Sequence, residues 1–224
     1  MATTPKLSAT ETDFLNVVRR DRLVAVIRAR AISDPLGLVG VLVERGIHCV
    51  EFTLTTGGAL DAIAQSSESS AWIGAGTVLE GRQADQAIAS GARFLVSPAL
   101  RPDVVRAARG TGVPVVLGAF SPTEVAAGME VGATALKLFP AQLGGPGYVK
   151  DLLGPLPGAR LIPSGSIGPD DVHGFLEAGA VAVYAGSALA PGHAVESGDL
   201  EDIVRRAEAF TSRLGPPPEG ARSS

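Results

Sequence analysis

The chain has 224 residues, 46% of them hydrophobic, with a mean hydropathy of +0.26, enough to bury a sizeable core. A net charge of −4 and a pI near 5.4 leave no basic face for nucleic acid or anionic lipid, so a phosphate ligand would need local donors. No run approaches the roughly 18 apolar residues of a membrane span, the first residues lack the apolar stretch of a signal peptide, and Cys49, the single cysteine, can form no intramolecular disulfide; the expected location is the cytoplasm.

In chain order, an N-terminal helix is expected over 8–20, with Ser8 or Thr10 as its cap. The first strand covers 23–28. A helix over 34–44 follows, with Asp34 as cap, Pro35 in its first turn and Gly46 as its stop. Strands are then expected over 48–54, 72–76, 93–97 and 114–117, separated by helices over 58–65, 83–89 and 102–109. Ser121 caps a helix over 122–130. The sixth strand, Ala135-Leu-Lys137-Leu-Phe-Pro140, precedes helix 148–153, strand 160–163, helix 169–178, strand 181–185 and a closing helix over 200–214. One domain is expected over 1–214, with 215–224, rich in Pro and Gly, as a disordered tail.

Eight strands alternating with helices through short loops suggest a (β/α)8 TIM barrel with an added N-terminal helix; an open doubly wound sheet is the competing arrangement. A repeat favours the barrel. Gly46, Gly91, Gly132 and Gly179 each stand between a helix and a strand, at intervals of 45, 41 and 47 residues, or two βα units per step. The residues five positions beyond them, Glu51, Val96, Lys137 and Tyr184, occupy equivalent points on strands two, four, six and eight. In a TIM barrel one interior layer takes its side chains from alternate strands. Glu51 and Lys137, on opposed strands, are therefore expected to face each other across the mouth.

A lysine in an apolar strand demands a reason, because an unpaired ammonium is costly to bury. Burial of an amine favours its neutral, nucleophilic form, which is what a Schiff base on a ketone requires. The plainer alternatives are a lysine whose methylenes cover the core while its charge reaches water, and a structural ion pair with Glu51. Charge pairs at the C-terminal ends of barrel strands favour catalysis. The loops after strands seven and eight carry Ser164-Gly165-Ser166 and Gly186-Ser187, where barrels often hold phosphate on backbone N–H groups; ordinary turn chemistry is the alternative. Arg28, Thr77 and Pro98 end strands one, three and four, and Arg28 suits a carboxylate or phosphate, a salt bridge at the rim being the alternative. His48, His173 and His193 have no metal-ligand spacing, and no nucleotide-binding glycine loop appears.

Together, Val26-Ile-Arg28, Glu51-Phe-Thr53, Gly74-Ala-Gly-Thr77-Val, Val96-Ser-Pro98, Leu136-Lys137-Leu-Phe-Pro140 and Gly186-Ser187 resemble the class I 2-keto-3-deoxy-6-phosphogluconate aldolase family, from about Leu23 to Leu214. The resemblance implies a Schiff base on Lys137, proton transfer by Glu51, and Thr77, Pro98 and Phe139 around a pyruvyl group. It also implies a homotrimer and no cofactor, and the histidine spacing already disfavours a metal-dependent mechanism. The implied substrate is a 2-keto-3-deoxy-6-phospho-sugar acid; the galactonate epimer and 4-hydroxy-2-oxoglutarate would pass through the same steps. Two departures stand out. Thr55 replaces an arginine that binds the substrate carboxylate in many members, and Ser166 replaces the second glycine of their phosphate loop. A non-covalent phosphosugar isomerase and a non-catalytic sugar-phosphate-binding barrel are the rival readings.

Overall fold

The four glycines of the repeat explain how each helix hands the chain to its strand. In a computed structural model describing residues 7–214, Gly46, Gly91, Gly132 and Gly179 all have left-handed backbones, with φ of 78°, 95°, 88° and 103°. Each glycine N–H bonds back three residues, and the next residue's N–H bonds back five, as in Ile47 N–H to Leu42 O (3.0 Å) and Ala133 N–H to Gly128 O (3.0 Å). This is the Schellman stop, used four times with a residue that bears no Cβ penalty.

The strands β1 (Leu23–Ile27), β2 (Cys49–Thr53), β3 (Trp72–Gly76), β4 (Phe94–Val96), β5 (Val115–Ala119), β6 (Ala135–Leu138), β7 (Leu161–Pro163) and β8 (Val183–Ala185) form one parallel sheet in the order β7-β6-β5-β4-β3-β2-β1-β8. Val181 N–H donates to Leu161 O at 3.0 Å, joining the two ends into a (β/α)8 barrel. The helices are α1 (Ala9–Asp21), α2 (Pro35–Glu44), α3 (Ala59–Ser66), α4 (Gly81–Ala89), α5 (Pro102–Ala108), α6 (Pro122–Glu130), α7 (Gly145–Leu153), α8 (Val172–Glu177), α9 (Gly192–Ser197) and α10 (Leu200–Thr211). Side chains alternate as the pleat requires. Val24, Val26, Cys49, Val96, Val116, Ile162 and Tyr184 fill the barrel, while Leu23, Ile27, Phe52, Leu117 and Leu138 pack outward against the helices.

Helix α1 closes the floor. Glu11 N–H donates to Ser8 Oγ (3.2 Å) and Ser8 N–H to Glu11 Oε2 (2.8 Å), a reciprocal cap. Phe14 then inserts beneath the strands, with its ring 5.5 Å from Trp72 and 5.0 Å from Phe94 between centroids; burying it contributes about 2–3 kcal/mol.

Several boundaries differ from expectation. Helix α4 starts at Gly81 rather than 83, because Gln83 Oε1 accepts the N–H groups of Leu79 (2.7 Å) and Glu80 (3.1 Å). Strand β5 runs on to Ala119, since Gly118 has no side chain to meet the Pro98–Ala99 backbone crossing it. Helix α7 begins at Gly145, with Pro146 in its first turn, and the expected helix over 169–178 is a 3₁₀ turn (Pro169–Asp171) followed by α8. Helix α9 was expected as loop, so His193 is helical. The closing helix α10 ends at Thr211 and not at 214. The tail expected over 215–224 lies outside the described residues. Among the described residues no helix is long and apolar enough to cross a membrane, and no group of three His, Cys, Asp or Glu could hold a metal.

Candidate active site

The mouth of the barrel, at the C-terminal ends of the strands, opens into a cavity of about 760 Å³. Lys137 rises into it from β6, and Arg28, Thr77, Pro98, Phe139, Ser164, Gly165, Ser166, Gly186 and Ser187 line it. Glu51 lies directly beneath, fully buried, with both carboxylate oxygens 3.4 Å from Lys137 Nζ. The sequence-predicted site residues therefore converge on one place. Thr55, Gln142, Ile167 and Ala188 also line the cavity and were not among the residues predicted for it. Gln142 could have been found as a polar residue two positions beyond Pro140, on a strand-end loop where barrels build their sites.

Glu51 reaches Lys137 because β3 makes room for it. On the facing strand, Glu51 pairs in register with Gly74, and a Cβ on Gly76 would overlap Glu51 Oε1, Cδ and Cγ. Gly74 serves similarly for the Phe94 ring below. Burial pushes the Glu51 carboxyl above the ordinary glutamate range, opposed chiefly by the charge of Lys137 and its hydrogen bond, and more weakly by Arg28. A buried ion pair is poor value for stability, because desolvation roughly cancels its attraction. Its position at the base of a cavity is what sets it apart.

Two walls of the cavity hold unusual backbone. Thr77 (φ 57°) and Ser166 (φ 49°) are left-handed without being glycine, and a β-branched residue there is a genuine outlier. Such strain costs on the order of 1–2 kcal/mol each and collects at functional sites. In the loops after β7 and β8, the backbone N–H groups of Gly165, Ser166, Ser187 and Ala188 find no acceptor among the described residues and remain available to an anion. Gly165 (φ 110°) has a backbone that L side chains rarely adopt, and a Cβ there would also displace the Gln142 amide. The loop after β8 is fixed from behind: Arg206 Nη1–H donates to Ala188 O (3.3 Å), while its Nε–H is held by Asp202 (2.9 Å).

Charge in the cavity is one-sided. Its lining includes Arg28 and Lys137 but no carboxylate. Arg28 is exposed and forms no ion pair among the described residues; the rim pair is made by its neighbour Arg30 with Glu196 (2.6 Å). At the foot of the same wall, Thr55 Oγ1–H donates to Thr53 Oγ1 (3.2 Å), which is 3.1 Å from Thr56 Oγ1, and that oxygen accepts the Ala29 N–H (3.3 Å). These hydroxyls tie the β2 wall to the segment carrying Arg28.

A family model described as KDPG and KHG aldolase matches residues 14–206 of this barrel. The chain belongs to that family. KDPG and KHG stand for 2-keto-3-deoxy-6-phosphogluconate and 4-hydroxy-2-oxoglutarate, and the family's enzymes are carbon–carbon lyases. A 2-dehydro-3-deoxy-phosphogluconate aldolase of Treponema pallidum is 35% identical over 205 residues, covering 90% of this chain and 98% of that protein. Among solved structures, a 4-hydroxy-2-oxoglutarate/2-dehydro-3-deoxyphosphogluconate aldolase from TTHB1 matches with a TM-score of 0.81 and 33% identity, covering 90% of this chain and 98% of its own. A KDPG aldolase from Legionella pneumophila, holding pyruvate as a covalent carbinolamine, matches with a TM-score of 0.77 and 28% identity over 88% of this chain and 97% of its own.

Proposed function

We propose that the protein is a class I aldolase cleaving KDPG to pyruvate and glyceraldehyde 3-phosphate, with Lys137 as the Schiff-base residue and Glu51 as the proton-transfer group. The observation that carries this reading is the Lys137–Glu51 contact of 3.4 Å at the base of the mouth cavity. The deprotonated Lys137 amine adds to the C2 ketone. The carbinolamine hydroxyl is protonated and leaves as water, giving an iminium. Glu51, directly or through a water, takes the C4 hydroxyl proton; the C3–C4 bonding pair then moves onto C3, forming an enamine and releasing the aldehyde. Protonation at C3 and addition of water return the free amine and pyruvate. The raised affinity of Glu51 for protons suits a group that accepts and returns one in each cycle.

The remaining residues are assigned to binding. Thr77, Pro98 and Phe139 wall the pyruvyl group. Ser164, Gly165, Ser166, Gly186 and Ser187 hold the phosphate through the unpaired backbone N–H groups and their hydroxyls. Arg28, with no ion-pair partner among the described residues, supplies positive charge at the mouth for the phosphate end of the substrate. The strained backbone at Ser166 favours, as a second reading, an enzyme whose preferred substrate lacks the phosphate, such as 4-hydroxy-2-oxoglutarate. The enzyme is further proposed to work in the cytosol without a cofactor, as a homotrimer; among the described residues Leu36, Leu79 and Leu143 are large apolar side chains exposed outside the cavity.

Borohydride reduction in the presence of pyruvate, followed by intact mass and peptide mapping, tests the assignment. One reduced pyruvyl adduct is expected on Lys137, and none in Lys137→Ala. An adduct that maps to Lys150 removes Lys137 from the mechanism.

A further inference from the structure

The interior layer that places Glu51 against Lys137 brings a third functional group to the same amine. Tyr184, on β8, sits with its ring centroid 4.3 Å from Lys137 Nζ. Lys137 is 5% exposed and hydrogen-bonds only to Glu51 among the described residues. Its nitrogen is thus enclosed by a carboxylate and an aromatic face. The Tyr184 side chain cannot swing away, being 1% exposed and packed in the barrel with Val24, Val26, Cys49 and Val96.

The hydroxyl does not account for a tyrosine at this position. Tyr184 Oη is buried and makes no hydrogen bond, which is a cost rather than a gain. Burial, reinforced by the Glu51 and Cys49 charges, pushes this phenol well above its ordinary range, so it keeps its proton throughout and is no base. The contact that remains is the face of the ring. An aromatic face carries partial negative charge and attracts a cation, not a neutral amine.

We propose that Tyr184 is a further catalytic residue of the aldolase, its ring holding the Lys137 nitrogen in line and stabilising the iminium as it forms from the carbinolamine. The proposal rests on the Schiff-base reading of Lys137. In that reaction the nitrogen is neutral when it attacks and positive in the iminium that draws electrons from the breaking bond. A fixed aromatic face lowers the energy of the positive species without moving, as electrostatic preorganisation requires. Glu51 on β2 is the ionisable group in contact with this nitrogen, while Cys49 acts on Tyr184 from within the barrel and Arg28 shares the cavity at the mouth.

The test is a ring series at position 184: Tyr184→Phe, the same position with phenylalanines bearing one, two or three ring fluorines, and Tyr184→Leu. Fluorination weakens the negative face while keeping the shape, so the series stays informative if the leucine variant fails to fold. Tyr184→Phe should keep kcat within about 3-fold. Each added fluorine should lower kcat, reaching about 10-fold with three fluorines or with leucine, as expected for loss of roughly 1–2 kcal/mol of cation–ring attraction. KM should change little. Pyruvate-dependent borohydride trapping, which captures the iminium, should slow in the same order. A flat response of kcat and trapping rate to fluorination overturns the proposal, as does an equal loss in the phenylalanine and leucine variants. If the parent protein forms no pyruvate adduct at all, the Schiff-base reading has failed; an adduct-forming parent insensitive to the ring removes only Tyr184.

Discussion

Gly76→Ala is the smallest change that should dismantle the site. The added methyl would overlap three atoms of the Glu51 side chain, which is fully buried. Gly76 does not have a left-handed φ, so its backbone would accept alanine readily. Without Glu51, the substitution would be expected to gain about 0.5–1 kcal/mol from the loss of glycine's unfolded-state freedom. With Glu51 present, overpacking should cost about 1–3 kcal/mol. The carboxylate is forced off Lys137, and a displacement of about 1 Å at a reacting group is worth about 10²-fold in turnover.

A double-mutant cycle isolates this term. Glu51→Ala leaves Lys137 without its carboxylate, a penalty shared by both arms and therefore cancelled. In that background, adding Gly76→Ala should be neutral or mildly stabilising by urea denaturation, against a clear loss in the parent background. The coupling should be about 2 kcal/mol or more. KDPG cleavage, followed as pyruvate release, should fall about 10²-fold in Gly76→Ala alone. A Gly76→Ala protein with parental stability and turnover, or one equally destabilised in both backgrounds, would refute the view that β3 is hollowed to seat Glu51.

Glu51→Gln should keep the fold while lowering kcat by about 10²-fold or more, the range of general acid–base catalysis; near-parental turnover would assign the proton transfer elsewhere. Its stability should also lose a pH dependence. A carboxyl whose pKa is raised on folding keeps its proton in the native state where the unfolded chain has lost it, so the parent should lose stability relative to Glu51→Gln as pH rises from about 4 through the raised value. Ser187→Ala should reduce kcat/KM for KDPG more than for 4-hydroxy-2-oxoglutarate, since remote phosphate binding is expressed in the transition state. Ser166→Gly should raise stability, by up to about 1 kcal/mol, by relieving the left-handed backbone, and should improve phosphate binding if the hydroxymethyl crowds the loop. Equal effects on both substrates would remove the phosphate assignment.

The glycine repeat made the barrel and the Glu51–Lys137 contact legible because both depend on register alone. Four Schellman stops fix where strands two, four, six and eight begin, and counting five residues onward reaches one interior layer. What the sequence did not disclose depends on contacts between distant segments. Helix α9 is six residues long and begins with a glycine, so its own propensity is slight. It is held by Ser33, whose Oγ–H donates to Val195 O (3.0 Å), and by the Arg30–Glu196 pair. Nothing local marks Gly76 as a space for Glu51 rather than a turn residue. Likewise, Thr77 and Ser166 look like ordinary strand-end residues until their φ values are known.

The same distinction bears on Arg28 and Thr55. By sequence, Thr55 is a loss, a hydroxyl where a guanidinium would bind a carboxylate. In three dimensions it belongs to a hydroxyl chain that ends on the Ala29 N–H, next to Arg28. Arg28 sets positive charge at the end of β1, beside the loop after β8, where Gly186 approaches Val26. A cation placed there is nearer the phosphate loops than one on β2 would be. The carboxylate of the pyruvyl group, bound on the Thr77 and Pro98 side, would then depend on hydroxyl and backbone donors. An enzyme built this way should owe more of its affinity to the phosphate end of the substrate than to the carboxylate end.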